Sequence, residues 1–305
     1  MDKLSPIVLF AYSRKKILKK TINSLKKNKL AKKSELFIFS DGYKSEKDKL
    51  HVDQVRSYLN KIKGFKKINI IQRKTNLGLA KNIVLGVTDI IKKYNKVIVL
   101  EDDIIVSAHF LDFMNLSLKN FENKKRIWHI NGWNYDFNFP KIKKNTFYWR
   151  GMHCWGWATW NDRWKNYKRN PKEMINKWAK NKITKLNYDN SYNFWSQILR
   201  NNSGLINTWA IFWYSSIFEN NGLCLSPVTS LTKNIGDDKF STNNPSFENS
   251  IKKIPNKFYK KGKLNFDFFE ILEENKIMFN TIKKNLSSKL SLRNKLNNFL
   301  GNLIE

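Results

Sequence analysis

The sequence predicts an α/β fold in which a mostly parallel, twisted sheet is flanked by helices and followed by a C-terminal helical appendage. Three observations predict it. Over the first 135 residues, short Val/Ile/Leu-rich runs alternate with stretches whose apolar residues recur at helical spacing. The strand-type runs end in turns of polar residues and Gly, as open parallel sheets do at the edge where they bind ligands. The stretch 279 to 305 spaces Ile282, Leu286, Leu290, Leu296, Phe299, Leu300 and Leu303 among Lys and Asn, the pattern of a basic amphipathic helix.

Pro6 to Tyr12 reads as the first strand, and Ile17, Leu18, Ile22 and Leu25 place the next helix on one apolar face. Glu35 to Ser40 is the second strand, followed by Asp41-Gly42 and a helix carrying Leu50, Val55 and Leu59. Lys67 to Gln72 is the third, followed by Asn76-Leu77-Gly78 and a helix with Ile83, Val84, Val87 and Ile91. Lys96 to Leu100 is the fourth, ending in Glu101-Asp102-Asp103, and Arg126 to Asn131 reads as a fifth. From 136 the alternation yields to a segment dense in aromatics, with Trp149, Trp155, Trp157, Trp160 and Trp164. Helical patterns follow around 171–181 and 191–202, another opens at Thr208 to Tyr214, and Leu223 to Pro227 returns to strand. The polar stretch 237–265 reads as loop. The simplest division is an α/β half at 1–135, a second half of the same domain at 136–265, and a helical extension at 266–305.

Composition narrows the function classes. With 57 Lys+Arg against 25 Asp+Glu, a net charge of +32 suggests anionic partners, and nucleic acid is the first candidate. Only nine of the basic residues are Arg, the usual bidentate reader of bases and phosphates, so dedicated nucleic-acid binding is not expected. Attraction to anionic membrane surfaces remains open. Cys154 and Cys224 lack metal-ligand spacing and predict neither a disulfide framework nor a zinc site. The N-terminal apolar run is short, without a cleavage signature, and no stretch approaches the ~20 apolar residues of a membrane span. A cytoplasmic placement is expected, with peripheral attachment to the inner face of the cytoplasmic membrane as the second option.

The turns after the strands converge on one sheet edge and carry the chemistry. Tyr12-Ser13-Arg14, Ser40-Asp41-Gly42, Asn76 to Lys81 and Glu101-Asp102-Asp103 together offer a guanidinium, backbone N–H groups, glycines that admit close approach, and consecutive carboxylates. Three acids at a strand end in so basic a chain point to a cation and a diphosphate. Neither Gly-x-x-x-x-Gly-Lys nor a Gly-x-Gly-x-x-Gly after the first strand is present, which leaves the acids and their cation to hold the phosphates. Two plainer readings stand beside this one: Asp41-Gly42 as a turn former and Arg14 as a surface charge at a helix start.

The set Phe10 to Arg14, Ser40-Asp41-Gly42, Asn76-Leu77-Gly78, Leu100 to Asp103, Trp155 to Trp160, and Leu231 with Asn234-Ile235-Gly236 resembles the GT-A-fold nucleotide-sugar glycosyltransferases. It is closest to bacterial family-2-like sugar transferases of surface-polysaccharide synthesis, with a more distant likeness to N-acetylglucosaminyltransferase I. The resemblance covers roughly residues 5–240 and implies a GT-A, Rossmann-like sheet. It implies that Asp103 ligates Mn²⁺ or Mg²⁺ on the donor diphosphate, Asp102 bonds the ribose, and Glu101 supports nucleotide or sugar. It also implies that Asp41 reads the base, most often uracil, and that Arg14 lies beside base or phosphates. Tyr12, Asn76, Gly78 and Lys81 complete the expected donor pocket. The partners it implies are a nucleotide-sugar donor and a glycan or lipid-linked acceptor, with lipopolysaccharide or capsule synthesis as the setting.

For the acceptor, the run Gly151 to Trp160 sets large flat rings among small residues, which suits a stacked sugar; His153, Trp155, Gly156 and Trp157 are the candidates. The alternative is that most of these rings are core. Relatives place a carboxylate after a Trp at a helix start, and the matching stretch Thr208 to Trp213 has none. Asp237 and Asp238 are the candidate bases, with Glu219, Asp189 and Asp162 further away. Two other functions follow from these features: a GT-A-like sugar binder without transfer activity, and a nucleic-acid-binding protein.

Overall fold

Alternate residues of the first strand, β1 (Ile7–Ala11), point into two different cores, and this period of two organises the whole molecule. Ile7 and Leu9 face Leu18, Ile22 and Leu25 of α1 (Lys15–Lys26), together with Leu36 and Ile38 of β2 (Glu35–Ser40) and Val55 and Leu59 of α2 (Glu46–Leu59). Val8 and Phe10 face the other side, against Ile83, Val87, Ile90 and Ile91 of α3 (Leu79–Tyr94). The computed structural model describes residues 3–236 and 265–301, with side chains described up to 288.

The main sheet has the order β3-β2-β1-β4-β8-β6-β9-β7, comprising also β3 (Lys67–Gln72), β4 (Lys96–Glu101), β6 (Ile127–Asn131), β7 (Thr146–Trp149), β8 (Trp157–Trp160) and β9 (Leu223–Pro227). β1 to β4 are parallel, as are β6 and β9, so their carboxyl ends share one edge. β8 runs antiparallel between β4 and β6, which brings Trp157 beside Val99 and Asn131 at that same edge. A small antiparallel pair, β5 (Ile104–Val106) with β10 (Thr232–Asn234), lies just beyond β4. The helices α4 (Phe110–Asn120), α5 (Asn161–Trp164), α6 (Pro171–Lys177), α7 (Lys180–Leu186), α8 (Trp195–Asn202) and α9 (Ala210–Glu219) complete the flanking layers.

The expected α/β architecture is present, with local differences. Leu50 was expected on the buried face of its helix and is 65% exposed, because α2 buries Val52, Val55 and Leu59. At about 100° per residue, a position two before Val52 lies roughly 200° round the helix and faces water. The antiparallel strands β7 and β8 fall within the aromatic segment. Both are wholly buried, so they show no apolar–polar alternation to read.

The C-terminal helix is present as α10 (Lys276–Gly301), and its first turns dock on the main core. Met278, Phe279, Ile282 and Leu286 are buried there. Before it, Arg150 forms a two-pronged ion pair with Glu274 at 2.8 and 2.6 Å, Asn275 N–H donates to Tyr148 C=O at 2.8 Å, and Tyr148 Oη–H donates to Phe269 C=O at 2.7 Å. Leu290, Leu296, Phe299 and Leu300 lie outside the described side chains, and Leu303 outside the described residues.

Candidate active site

At the carboxyl end of β4 the chain turns sharply, with Thr21 Oγ1–H holding the Asp102 carbonyl at 2.7 Å. This aims the Asp102 and Asp103 side chains back at Arg14, the residue that opens α1. The Arg14 guanidinium bonds both carboxylates, Asp102 through Oδ1 and Asp103 through Oδ2, the latter at 2.9 Å. Asp102 also accepts the Tyr12 backbone N–H; burial pushes its pKa up to about 6, and Arg14 offsets part of that rise. Asp103 Oδ1 is buried and accepts no hydrogen bond from the described protein. A buried carboxylate oxygen left without a donor is costly, and a cation is the partner that would satisfy it.

Gly236 closes the other side. Its own Cα lies so near that a Cβ there would sit 2.1 Å from Asp103 Oδ2, and Ile235 N–H donates to the Asp103 carbonyl at 2.9 Å. β10 therefore delivers its last residues onto the acid pair. Among the described residues no group of three or more His, Cys, Asp or Glu assembles to cage an ion. An ion at Asp103 would take the rest of its shell from phosphate and water, as Mg²⁺ and Mn²⁺ do with one or two carboxylates. The donor set fits such an ion.

The neighbouring turn is held by Asp41. Its Oδ1 accepts the Gly42 and Leu77 N–H groups at 2.9 Å each, and its Oδ2 accepts Gly78 N–H at 3.0 Å. Asn76 Nδ2–H reaches Gly42 C=O at 2.7 Å, while a Cβ on Gly42 would meet the Thr75 carbonyl carbon at 2.4 Å. Asp41 thus ties the turns after β2 and β3 together, leaving capacity for one further donor at Oδ2. Tyr12 Oη accepts Lys44 N–H at 3.0 Å; Lys81 is exposed in the first turn of α3; Glu101 is half-buried at the end of β4.

A second feature lies on the β8 side of the edge. The loop before β8 is anchored by Asn131, whose Nδ2 donates to Gly151 C=O at 3.0 Å and whose Oδ1 accepts His153 N–H at 2.7 Å. It forms one wall of a cleft of about 140 Å³, with Trp133, His153 and Trp155 facing Tyr192, Gln197 and Tyr214. Thr232 Oγ1–H holds the Trp155 carbonyl at 2.7 Å. Three residues of extended chain, on the order of 10 Å, thus separate this wall from the contact of Ile235 with Asp103.

The family model of the GNT-I family matches residues 1–188. The chain belongs to the GNT-I family. No curated protein matches this GNT-I-family chain. Among solved structures it is similar to S. aureus TarS at 17% identity, covering 47% of this chain and 24% of TarS, with a TM-score of 0.31. It is similar to the mannosyltransferase PcManGT from Pyrobaculum calidifontis, solved with GDP-Man and Mn²⁺, at 7% identity over 70% of each chain and a TM-score of 0.38. An active-site mutant of LgtC is 10% identical over 70% of each chain, also with a TM-score of 0.38. The matched part spans about a quarter of the length of TarS.

Within this GNT-I-family chain the structure gathers Tyr12, Arg14, Asp41, Asn76, Gly78, Glu101, Asp102 and Asp103 along one edge. It corrects Trp157: this ring is 1% exposed and stacks between His129 and Trp209, at 5.2 Å from each, so it is core. Gly156 is buried too, its carbonyl accepting Gly132 N–H at 2.7 Å, and so shapes the loop. His153 and Trp155 do line the cleft. Glu219 pairs with Trp178 and Lys182, Asp189 with Lys283, and Asp162 with Arg163, and none of the three lines the cleft. Asp237 and Asp238 lie outside the described residues. Sequence reasoning missed Thr21, Asn131, Gln197 and Tyr192, whose roles come from long-range contacts that leave no local pattern.

Proposed function

We propose that the chain is a metal-dependent glycosyltransferase that moves a sugar from a nucleotide-diphosphate sugar, UDP-linked by preference, to a glycan or lipid-linked acceptor in cell-surface polysaccharide or lipopolysaccharide synthesis. The observation that carries this reading is the unsatisfied Asp103 Oδ1 at the carboxyl end of β4, beside a second buried acid and a guanidinium. Membership of the GNT-I family supports the same reaction. Asp103 would hold Mn²⁺ or Mg²⁺, which when bound supplies Lewis-acid neutralisation of the departing diphosphate. Asp102 and Glu101 face the ribose and sugar side, and Arg14 fixes the two acids in place until a donor offers its own phosphates. Asp41 holds the two turns between which the base would lie.

Deprotonation of the acceptor hydroxyl falls to Asp237 or Asp238, which follow Gly236 directly in sequence. The net charge of +32 supports working at an anionic cytoplasmic leaflet, although the α10 stripe at Ile282 and Leu286 is already spent on the core. No helix among the described residues is long and apolar enough to cross a membrane. A second reading, sugar binding without transfer, is favoured by the lack of a carboxylate among the described residues of the cleft.

The experiment is a panel of nucleotide sugars with Mn²⁺ or Mg²⁺, read by calorimetry and by donor hydrolysis. A metal-dependent hit that Asp103→Asn removes, with the fold intact by circular dichroism, is the expected result. A flat panel, or binding that survives both the substitution and EDTA, overturns the proposal. Binding without hydrolysis or transfer selects the second reading.

A further inference from the structure

The first helix carries a charge pattern that the acid edge does not explain. Residues 15–33 hold nine Lys and no Asp or Glu, whereas the whole chain has 57 Lys+Arg and 25 Asp+Glu in 305 residues, so the surplus of cations and the lack of acids are both local. All nine are exposed. At about 100° per residue, Lys15, Lys26, Lys19, Lys16, Lys27 and Lys20 fall in that order within an arc of roughly 140° on α1, away from the buried Leu18, Thr21, Ile22 and Leu25. Other helices mix the signs. On α2, Glu46 and Asp53 are exposed beside Lys47 and Lys49, and Lys49, Lys177, Lys182 and Lys283 each pair with a carboxylate. Among the described residues none of the six lysines of the arc is in an ion pair, and Asp112 of α4 lies near Lys29, beyond the arc.

We propose that this lysine arc is a docking surface for an anionic lipid bilayer, with α1 lying along the headgroups. Six point charges along about 18 Å of convex helix match a plane of diffuse negative charge, and each lysine held near such a surface strengthens partitioning by roughly fivefold. Nucleic acid fits less well. Residues 15–33 contain no Arg to fork onto a phosphate or a base edge, and no Phe, Tyr or Trp to stack a base. The large apolar side chains exposed among the described residues all lie outside this stretch, so the contact is electrostatic, without insertion, and is reversed by salt. It also differs from docking through α10, because α1 packs on the core that holds Leu18 and Ile22 and α10 on the core across the sheet. The arc begins next to Arg14, which bridges Asp102 and Asp103, so a docked bilayer lies beside the acid edge. That placement presents a lipid-linked acceptor to the donor, a step that alone rests on the transferase reading above.

The test is flotation of the full chain with vesicles of phosphatidylcholine, with and without phosphatidylglycerol. Expected is binding only to the anionic vesicles, at least about tenfold weaker when salt is raised from about 0.05 to 0.5 M. A variant with Lys16→Gln, Lys19→Gln, Lys20→Gln and Lys27→Gln keeps good helix formers and should bind at least about thirtyfold more weakly. The milder pair Lys16→Gln and Lys20→Gln should lose at least about fivefold, with both folds checked by circular dichroism. The control is Lys92→Gln, Lys93→Gln, Lys180→Gln and Lys185→Gln, exposed lysines of α3 and α7 across the sheet, which removes the same charge and should cost less than about threefold. Equal losses in the arc variants and the control, binding that survives the arc substitutions, or indifference to phosphatidylglycerol overturns the proposal. So does a DNA oligonucleotide that binds through the same lysines more tightly than the vesicles at about 0.15 M salt. Donor binding by calorimetry separates the two readings: lipid binding with a flat donor panel sinks the transferase reading and the presentation of an acceptor, while donor binding without lipid binding sinks the docking surface alone.

Discussion

Gly236 has a hydrogen where any other residue type would have a Cβ, and the Asp103 carboxylate fills that space. A methyl group there would lie 2.1 Å from Asp103 Oδ2 and 3.0 Å from Arg14 Nη1, so both charged groups must move. Gly236→Ala should therefore weaken metal-dependent donor binding by at least about tenfold while lowering Tm only slightly, since no core contact is lost. Calorimetry with the best donor of the panel checks it, and unchanged affinity would show that the Gly236 contact is dispensable. His129 offers a separate test, because its ring partners are Trp213 and the His153 carbonyl rather than the acid pair. Trp213 Nε1–H donates to its Nδ1 at 3.1 Å, so the proton sits on Nε2, which donates to His153 C=O at 3.0 Å. Burial pushes its pKa down to about 3, whereas the unfolded value is about 6.5. The unfolded chain thus binds a proton that the folded chain refuses; the stability this group contributes is intact above pH ~6.5 and is lost as pH falls, by about 2 kcal/mol at pH 5. His129→Gln keeps one donor and one acceptor but does not titrate. Its Tm should fall less between pH 7 and 5 than that of the wild type, and parallel pH curves would refute the assignment.

Among the elements, α10 shows where pattern reading stops. Its apolar stripe was legible, and membrane docking, core packing and oligomerisation were all consistent with it. The structure decides for the first turns: Ile282 is fully buried beside Met278 and Phe279, and Arg150 lies 4.4 Å from the Phe279 ring while pairing with Glu274. Ile282→Ala should cost about 2–5 kcal/mol, a loss that a lipid-facing residue would not show in detergent-free solution. Urea denaturation gives the number, and a cost below about 0.5 kcal/mol would mean that this face is not packed. Strands β1 to β4 were readable because their apolar runs are short, rich in Val, Ile, Leu and Phe, and bounded by turns. β7 and β8 were not, because Thr146–Trp149 and Trp157–Trp160 resemble a ligand-stacking surface when only residue types are known.

Over the whole molecule, +32 charges repel one another in any compact state. Raising salt from about 0.05 to 0.5 M shortens the Debye length from roughly 14 to 4 Å and should raise Tm, by about 2–4 °C for each kcal/mol of repulsion relieved. A Tm that is flat in NaCl and KCl would mean that local ion pairs such as Lys283–Asp189 already balance the field.

By itself the sequence determined the alternation of strand and helix, the parallel first half of the sheet, and the presence of carboxylates, a guanidinium and glycines at the strand ends. These are local properties: hydrophobic period, turn chemistry and the order of residues along the chain. Tertiary structure alone decided that Arg14 spans both acids, that Asp41 ties two turns together, that Trp157 is core while Trp155 borders a cleft, and that α10 begins as a packing element. Each of these depends on which residues distant in sequence share the same few ångströms, and burial rather than residue type then sets whether a ring or a charge is free to meet a ligand.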